Sequence, residues 1–179
     1  MTQAKRQNKF ITFKQLVFVF VCFFSGLSPV STLASELPAS LQVILISKIL
    51  SYEASLSKKE QVSIYIIASP EIYRSFYKLK TKGYSEIKID KLEIGAQLPD
   101  PGFDLVYVAD EKLIGQAIEY ATANHALLIS SHSSWVKKGI TLGLGATDGR
   151  PKFYLNLTTS TASGLQWDDK ILSIAQTVR

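Results

Sequence analysis

The stretch from Lys137 to Leu157, KKGITLGLGATDGRPKFYLNL, holds four glycines within eleven residues, and its reading decides the fold. A phosphate-cradling loop requires a strand, then glycines, then at once a helix whose first amides face the anion. Here the glycines fall inside a period-2 pattern. Ile140, Leu142 and Leu144 point one way; Thr141, Gly143 and Gly145 point the other. Asp148-Gly149-Arg150-Pro151 reads as a tight turn, because glycine tolerates positive φ. Phe153, Leu155 and Leu157 then resume the alternation. No helical pattern follows the glycines directly, and no Gly-Lys-Ser/Thr is present. The stretch is therefore read as a β-hairpin from Gly139 to Leu157, with its apolar side under a terminal helix.

Working outward, the pattern alternates between strands and helices. Leu37 to Tyr52 is apolar at helical spacing, and Gln61 to Ser69 reads as a strand. Ser69-Pro70-Glu71 opens a helix as an N-cap, a proline at the first position and a first-turn acid. Ile72, Tyr73, Phe76, Tyr77 and Leu79 form its inward face, and Gly83 ends it. Ile87 to Leu92 is a short strand near an edge, and Phe103 to Ala109 is another strand. Asp110 caps a helix through Leu113, Ile114, Ala117, Ile118 and Ala121, closed by Asn124. Ala126 to Ser131 is a strand, and Asp168 caps a last helix through Ile171, Leu172, Ala175 and Val178. Strands joined by helices of this length imply parallel pairing with both faces covered. The expected fold is a single-domain three-layer α/β/α sandwich, with a mostly parallel sheet and a C-terminal antiparallel hairpin.

Residues 1–34 read as a secretory signal peptide. Lys5, Arg6, Lys9 and Lys14 precede the apolar run LVFVFVCFFSGL, and Thr32-Leu33-Ala34 supplies a small-residue cleavage site. Val21 before Cys22 is too large for a lipidation signal. The leader carries four of the 20 basic residues and none of the 15 acids, so residues 35–179 are close to neutral. The basic balance of the whole chain therefore does not point to nucleic acid. The single cysteine lies in the leader, which leaves the exported domain without disulfides.

Ligands of parallel sheets sit beyond the strand carboxyl ends. Three loops qualify there, contributing Ser69, Asp110, and Ser131, His132 and Ser133 beside Trp135. A hydrolase would need Asp110 to reach His132, and no Gly-x-Ser-x-Gly elbow surrounds either serine. The simpler reading is a polar loop whose serines satisfy turn backbone. His125 and His132 are the only histidines and lack metal-ligand spacing, so neither metal nor cofactor is expected.

The second half, from Ala126 to Val178, resembles the YfiR family of small exported bacterial proteins. Gly139-Ile140, Gly149, the strand from Phe153 through Asn156-Leu157, Ala162, Gly164 and the segment Leu172 to Val178 carry the resemblance. The segment SLQVILISKILSYE looks like the family's opening helix. The resemblance implies a periplasmic, non-catalytic regulator that binds the periplasmic part of an inner-membrane signalling protein. A diguanylate cyclase or a sensor kinase is the expected partner, with a homodimer also open to the chain. Some members carry cysteines under redox control, and residues 35–179 have none. The alternative is a small-ligand binding module using the strand-end crevice.

Titration with ATP or GTP is expected to give no saturable binding. Saturable binding that disappears in Gly143→Ala and Gly145→Ala would overturn the hairpin reading.

Overall fold

The computed structural model describes residues 36–83 and 88–179. The expected leader, with its cleavage site and Cys22, lies outside them, as does Ile87 at the start of the expected edge strand. Helix α1 (Ala39–Leu50) leads into strand β1 (Gln61–Ile67), helix α2 (Pro70–Lys82) and strand β2 (Lys88–Gly95). Strand β3 (Leu105–Val108) is followed by helix α3 (Ile114–Asn124) and strand β4 (Leu127–Ser130). A 3₁₀ segment over Ser133–Lys138 precedes strands β5 (Leu142–Thr147) and β6 (Arg150–Asn156). Helices α4 (Leu157–Ala162) and α5 (Asp169–Ile174) and strand β7 (Gln176–Val178) complete the chain.

Among the described residues, the strands form one seven-stranded sheet in the order β2-β1-β3-β4-β5-β6-β7. Pairing is parallel from β2 to β5 and again between β6 and β7. Only β5 and β6 run antiparallel, with Leu142 opposite Leu155 and Leu144 opposite Phe153. The turn between them has Asp148 at φ 50° and Gly149 at φ 71°. Two positive φ values at a two-residue turn match the strands' right-handed twist.

Alternation in the central strands divides the core in two. Ile64, Ile66, Leu105, Tyr107 and Ile129 face α1 and α2, where Val43, Ile46, Ile72 and Phe76 meet them. Tyr65, Ile67, Val106, Val108 and Leu128 face the other way, onto Ile114, Ala117 and Ala121 of α3. Helix α2 keeps the bounds that Pro70 and Gly83 set, with Gly83 left-handed at φ 67°. The helix through Leu113 and Ile114 starts later than its cap, because Asp110 first closes a 3₁₀ turn over Glu111–Leu113.

Several expectations are corrected. Tyr77 is 53% exposed, so the inward face of α2 is the narrower stripe Ile72, Phe76 and Leu79. Ile140 packs in the α3-side core, whereas Leu142 and Leu144 pack in the α1-side core. It precedes β5, and its amide donates to the Trp135 carbonyl at 3.1 Å, so strand alternation does not govern it. Leu157 opens α4 instead of extending β6, because the Asn156 side chain accepts from the Thr159 amide at 2.9 Å and caps the helix. Phe153 and Leu157 are only partly buried. The last helix ends at Ile174, and Ala175 turns extended so that Gln176–Val178 pairs with β6. That pairing supplies main-chain partners to an edge that a longer helix would leave open.

The glycines of β5 have a packing role. A Cβ on Gly143 would stand 2.5 Å from Val136 Cγ2 and 3.0 Å from Ser133 Cα. One on Gly145 would stand 3.2 Å from Ser133 Oγ. The absence of side chains lets the 133–138 segment lie directly on the sheet. Leu142 and Leu155, both fully buried, cover the opposite face.

Leu142→Ala or Leu155→Ala is expected to cost about 2–5 kcal/mol in denaturant unfolding. Gly143→Ala should also destabilise, by about 1–3 kcal/mol, through overpacking against Val136 and Ser133. An unchanged unfolding midpoint in Gly143→Ala would show that the segment does not rest on β5.

Candidate functional site

The strand order sets the carboxyl ends of β1, β3 and β4 side by side. The residues that follow those ends are the ones the sequence singles out. Ser69 precedes α2; its carbonyl accepts from the Tyr73 amide at 3.0 Å, but its side chain makes no capping hydrogen bond. The Asp110 side chain accepts from the Lys112 amide at 3.0 Å. Among the described residues, no hydrogen bond or ion pair joins Ser69 or Asp110 to Ser131 or His132. Ser133 starts the 3₁₀ segment, with its hydroxyl against Gly145.

Ser131 and His132 do come together, with a residue the sequence reading does not find. The Glu36 carboxylate lies 3.2 Å from His132 Nε2 and 3.5 Å from Ser131 Oγ. Ser131 Oγ is 3.4 Å from His132 Nδ1. The imidazole stacks on Trp135, with centroids 4.1 Å apart and planes 10° apart. Both serine distances exceed the usual O–H hydrogen-bond range. Ser131 and His132 also share a single carboxylate oxygen, Oε1 of Glu36. This contact joins the segment before α1 to the loop after β4.

Beneath it lies a buried polar chain. Tyr107 on β3 is 1% exposed, and its hydroxyl donates to Gln42 Oε1 at 2.8 Å. Gln42 Nε2 donates in turn to the Leu37 carbonyl at 2.6 Å. Burial pushes the Tyr107 phenol up to about 12; hydrogen bonding with Ser131 works against the rise, and the charges of Glu36 and Glu71 add to it. The hydroxyl is therefore a fixed donor at neutral pH. Two sequence signals point to this pair: a tyrosine inside an otherwise apolar strand, and a lone amide within an apolar helix. A buried tyrosine hydroxyl needs a partner.

A second polar junction, also absent from the sequence reading, closes the opposite end of the sheet. Asp104 accepts from the Ser63 amide and the Ser63 hydroxyl, each at 2.7 Å, and pairs with Lys59. Burial opposes its charge, yet the bonds from Lys59 and Ser63 prevail and hold its carboxyl below the usual range. A depressed carboxyl contributes stability above its unfolded pKa and loses it as pH falls through the folded value. This junction is thus an acid-sensitive point in the fold.

Among the described residues, no group of three or more His, Cys, Asp or Glu side chains could hold a metal ion. The model of the YfiR/HmsC-like family matches residues 40–176. The chain belongs to the YfiR/HmsC-like family. The match runs from the first turn of α1 into β7, so the strand-end crevice lies within the YfiR/HmsC-like domain, whereas Glu36 lies just before the matched range. No curated protein matches the chain. Its fold is similar to the crystal structure of a conserved domain protein from Vibrio cholerae O1 biovar El Tor, with a TM-score of 0.54 and 16% identity. It is also similar to the ABC domain in complex with L-Trp from Streptococcus pneumonia, with a TM-score of 0.53 and 10% identity. Each likeness covers 79% of this chain and 60% of the other, so this YfiR/HmsC-like chain spans about three fifths of either relative. At these identities the likeness is one of fold.

Tyr107→Phe should lower unfolding free energy by about 1–3 kcal/mol, because Gln42 Oε1 is left buried without its donor. Urea denaturation checks this. A change near zero would mean that water or a rotated Gln42 satisfies the site.

Proposed function

We propose that this chain is a periplasmic, non-catalytic regulatory protein that binds and modulates an inner-membrane signalling partner, a diguanylate cyclase or a sensor kinase. The family match over residues 40–176 carries the reading. The leader-like residues 1–34 support export. Among the described residues, no helix is long and apolar enough to cross a membrane. The crevice supports the non-catalytic part. Its floor is filled by the Gln42–Tyr107 pair, and its mouth is crossed by the Glu36 contact with His132.

A second reading, a small-ligand binding module, draws on the fold shared with an L-Trp-bound domain and on the flat His132–Trp135 stack beside the strand ends. A thermal-shift screen with amino acids, sugars and anions separates it from the first. A shift abolished by Ser131→Ala and His132→Ala would favour a sensed ligand at this crevice.

Deleting the gene should change cellular cyclic-di-GMP or the output of a sensor kinase, and the exported protein should retrieve an inner-membrane signalling protein from its native envelope. Unchanged signalling together with no such partner would contradict the proposed role.

A further inference from the structure

Helix α1 carries more apolar surface than the sheet covers. Its sequence ASLQVILISKIL has one charge, Lys48, yet Ile44 is 47% exposed. A helix that is apolar nearly all round is expected to be covered on every side. Beside it, α2 turns Tyr77 outward, with the ring stacked on Tyr73 at a centroid distance of 6.4 Å. Two recesses share Lys78 on this face. One, of about 250 Å³, lies between the helices and is lined by Val43, Ile44, Leu79, Lys78 and Lys82, with Ser40 and Ser75 at its edge. The other, of about 430 Å³, is lined by Tyr73, Arg74, Tyr77 and Lys78.

The charges that line these two recesses are basic, and Glu71, one turn before Arg74 on the same helix, lines neither. Arg74, Lys78 and Lys82 follow each other at i, i+4 and i+8, a stripe about 12 Å long on an α-helix. All three are exposed, and no acidic side chain lines either recess. Among the described residues, none of the three has an ion-pair partner, in contrast to Lys59, Lys91 and Lys138. An apolar recess flanked by a basic stripe has a specific complement. It fits a helix with apolar anchors on one side and carboxylates at matching spacing beside them.

We infer that the α1/α2 face is the partner-docking surface, and that its occupant is an acidic amphipathic segment of the signalling protein. This deepens the proposed regulatory role and rests on it. Apolar side chains of the segment enter the recess between Ile44 and Leu79 and pack on Tyr77. Its carboxylates meet Arg74, Lys78 and Lys82. A membrane surface is a poorer complement, since lipid-binding patches gather four to eight cations and this stripe has three. The recess is also concave, which suits an inserted side chain better than a flat bilayer.

Photocrosslinking in cells tests this. Benzoylphenylalanine replaces Ile44 or Tyr77 on the docking face, or exposed Gln116 on α3 as the opposite-face control. Crosslinks from positions 44 and 77 into an acidic segment of an inner-membrane protein, absent from position 116, are expected. Lys78→Glu should cut their yield about tenfold, as an attraction becomes a repulsion, without shifting thermal unfolding. Crosslinks to the membrane protein from position 116 alone would overturn this surface while leaving the regulatory role standing. Crosslinks from 44 and 77 to a second copy of the chain would overturn it in favour of a dimer. Pelleting with phosphatidylglycerol vesicles that is lost in Lys78→Glu would overturn it in favour of lipid. No crosslink to any membrane protein from any of the three positions would remove the regulatory role and the surface together.

Discussion

The close approach of the 133–138 segment to the bare face of β5 is the constraint on which the C-terminal half of the molecule depends. Gly143 and Gly145 offer no Cβ there, and Val136 and Ser133 occupy the space that one would fill. Asn156, at the end of β6, completes the clamp. Its amide group donates to the Val136 carbonyl at 2.8 Å, while its side-chain oxygen accepts from the Thr159 amide at 2.9 Å. One buried asparagine thus ties the segment over the sheet to the start of α4. A larger residue at Gly143 would lift the segment, and with it the hydrogen bond that sets the path from β6 into α4.

The same packing fixes what stands at the strand ends. Trp135 belongs to the clamped segment, so the ring on which His132 stacks is held by the sheet beneath it. His132 then meets Glu36 from the opposite end of the chain. At the strand ends, where parallel sheets commonly bind ligands, the Glu36 side chain meets His132 above the Tyr107–Gln42 pair. Surface chemistry accordingly moves elsewhere. Among the described residues, the α1/α2 face combines exposed Ile44 and Tyr77 with a basic stripe. A regulator that works by contact needs such a face more than it needs a pocket.

The parts of the fold legible in sequence are those set by local chemistry. Pro70 and Gly83 bound α2, Asp148-Gly149 makes the hairpin turn, and the apolar runs in Leu105–Val108 and Leu127–Ser130 mark strands buried on both sides. What is not legible depends on distant pairing. Gln176–Val178 looks like the tail of a helix until β6 offers it an edge. Tyr77 looks like core until α2 is seen to bury a stripe only three residues wide. For the candidate site, Ser131 and His132 are visible as a polar loop after a strand. Glu36 is not, because nothing local to residue 36 predicts a contact 95 positions away. Gln42 and Tyr107 are visible only as polar residues in apolar elements, with no means of knowing that they face each other.

In the proposed regulatory role the protein acts through its surface, without chemistry at the strand ends. Complementation of a deletion strain with the Ser131→Ala/His132→Ala double variant, read as cellular cyclic-di-GMP, tests that most directly. Full restoration is expected, since neither side chain lies on the α1/α2 face; the lost Ser131 hydrogen bond to Tyr107 should show only as a lower unfolding midpoint. A variant that folds and reaches the periplasm at normal levels, yet leaves cyclic-di-GMP at the deletion value, would contradict it.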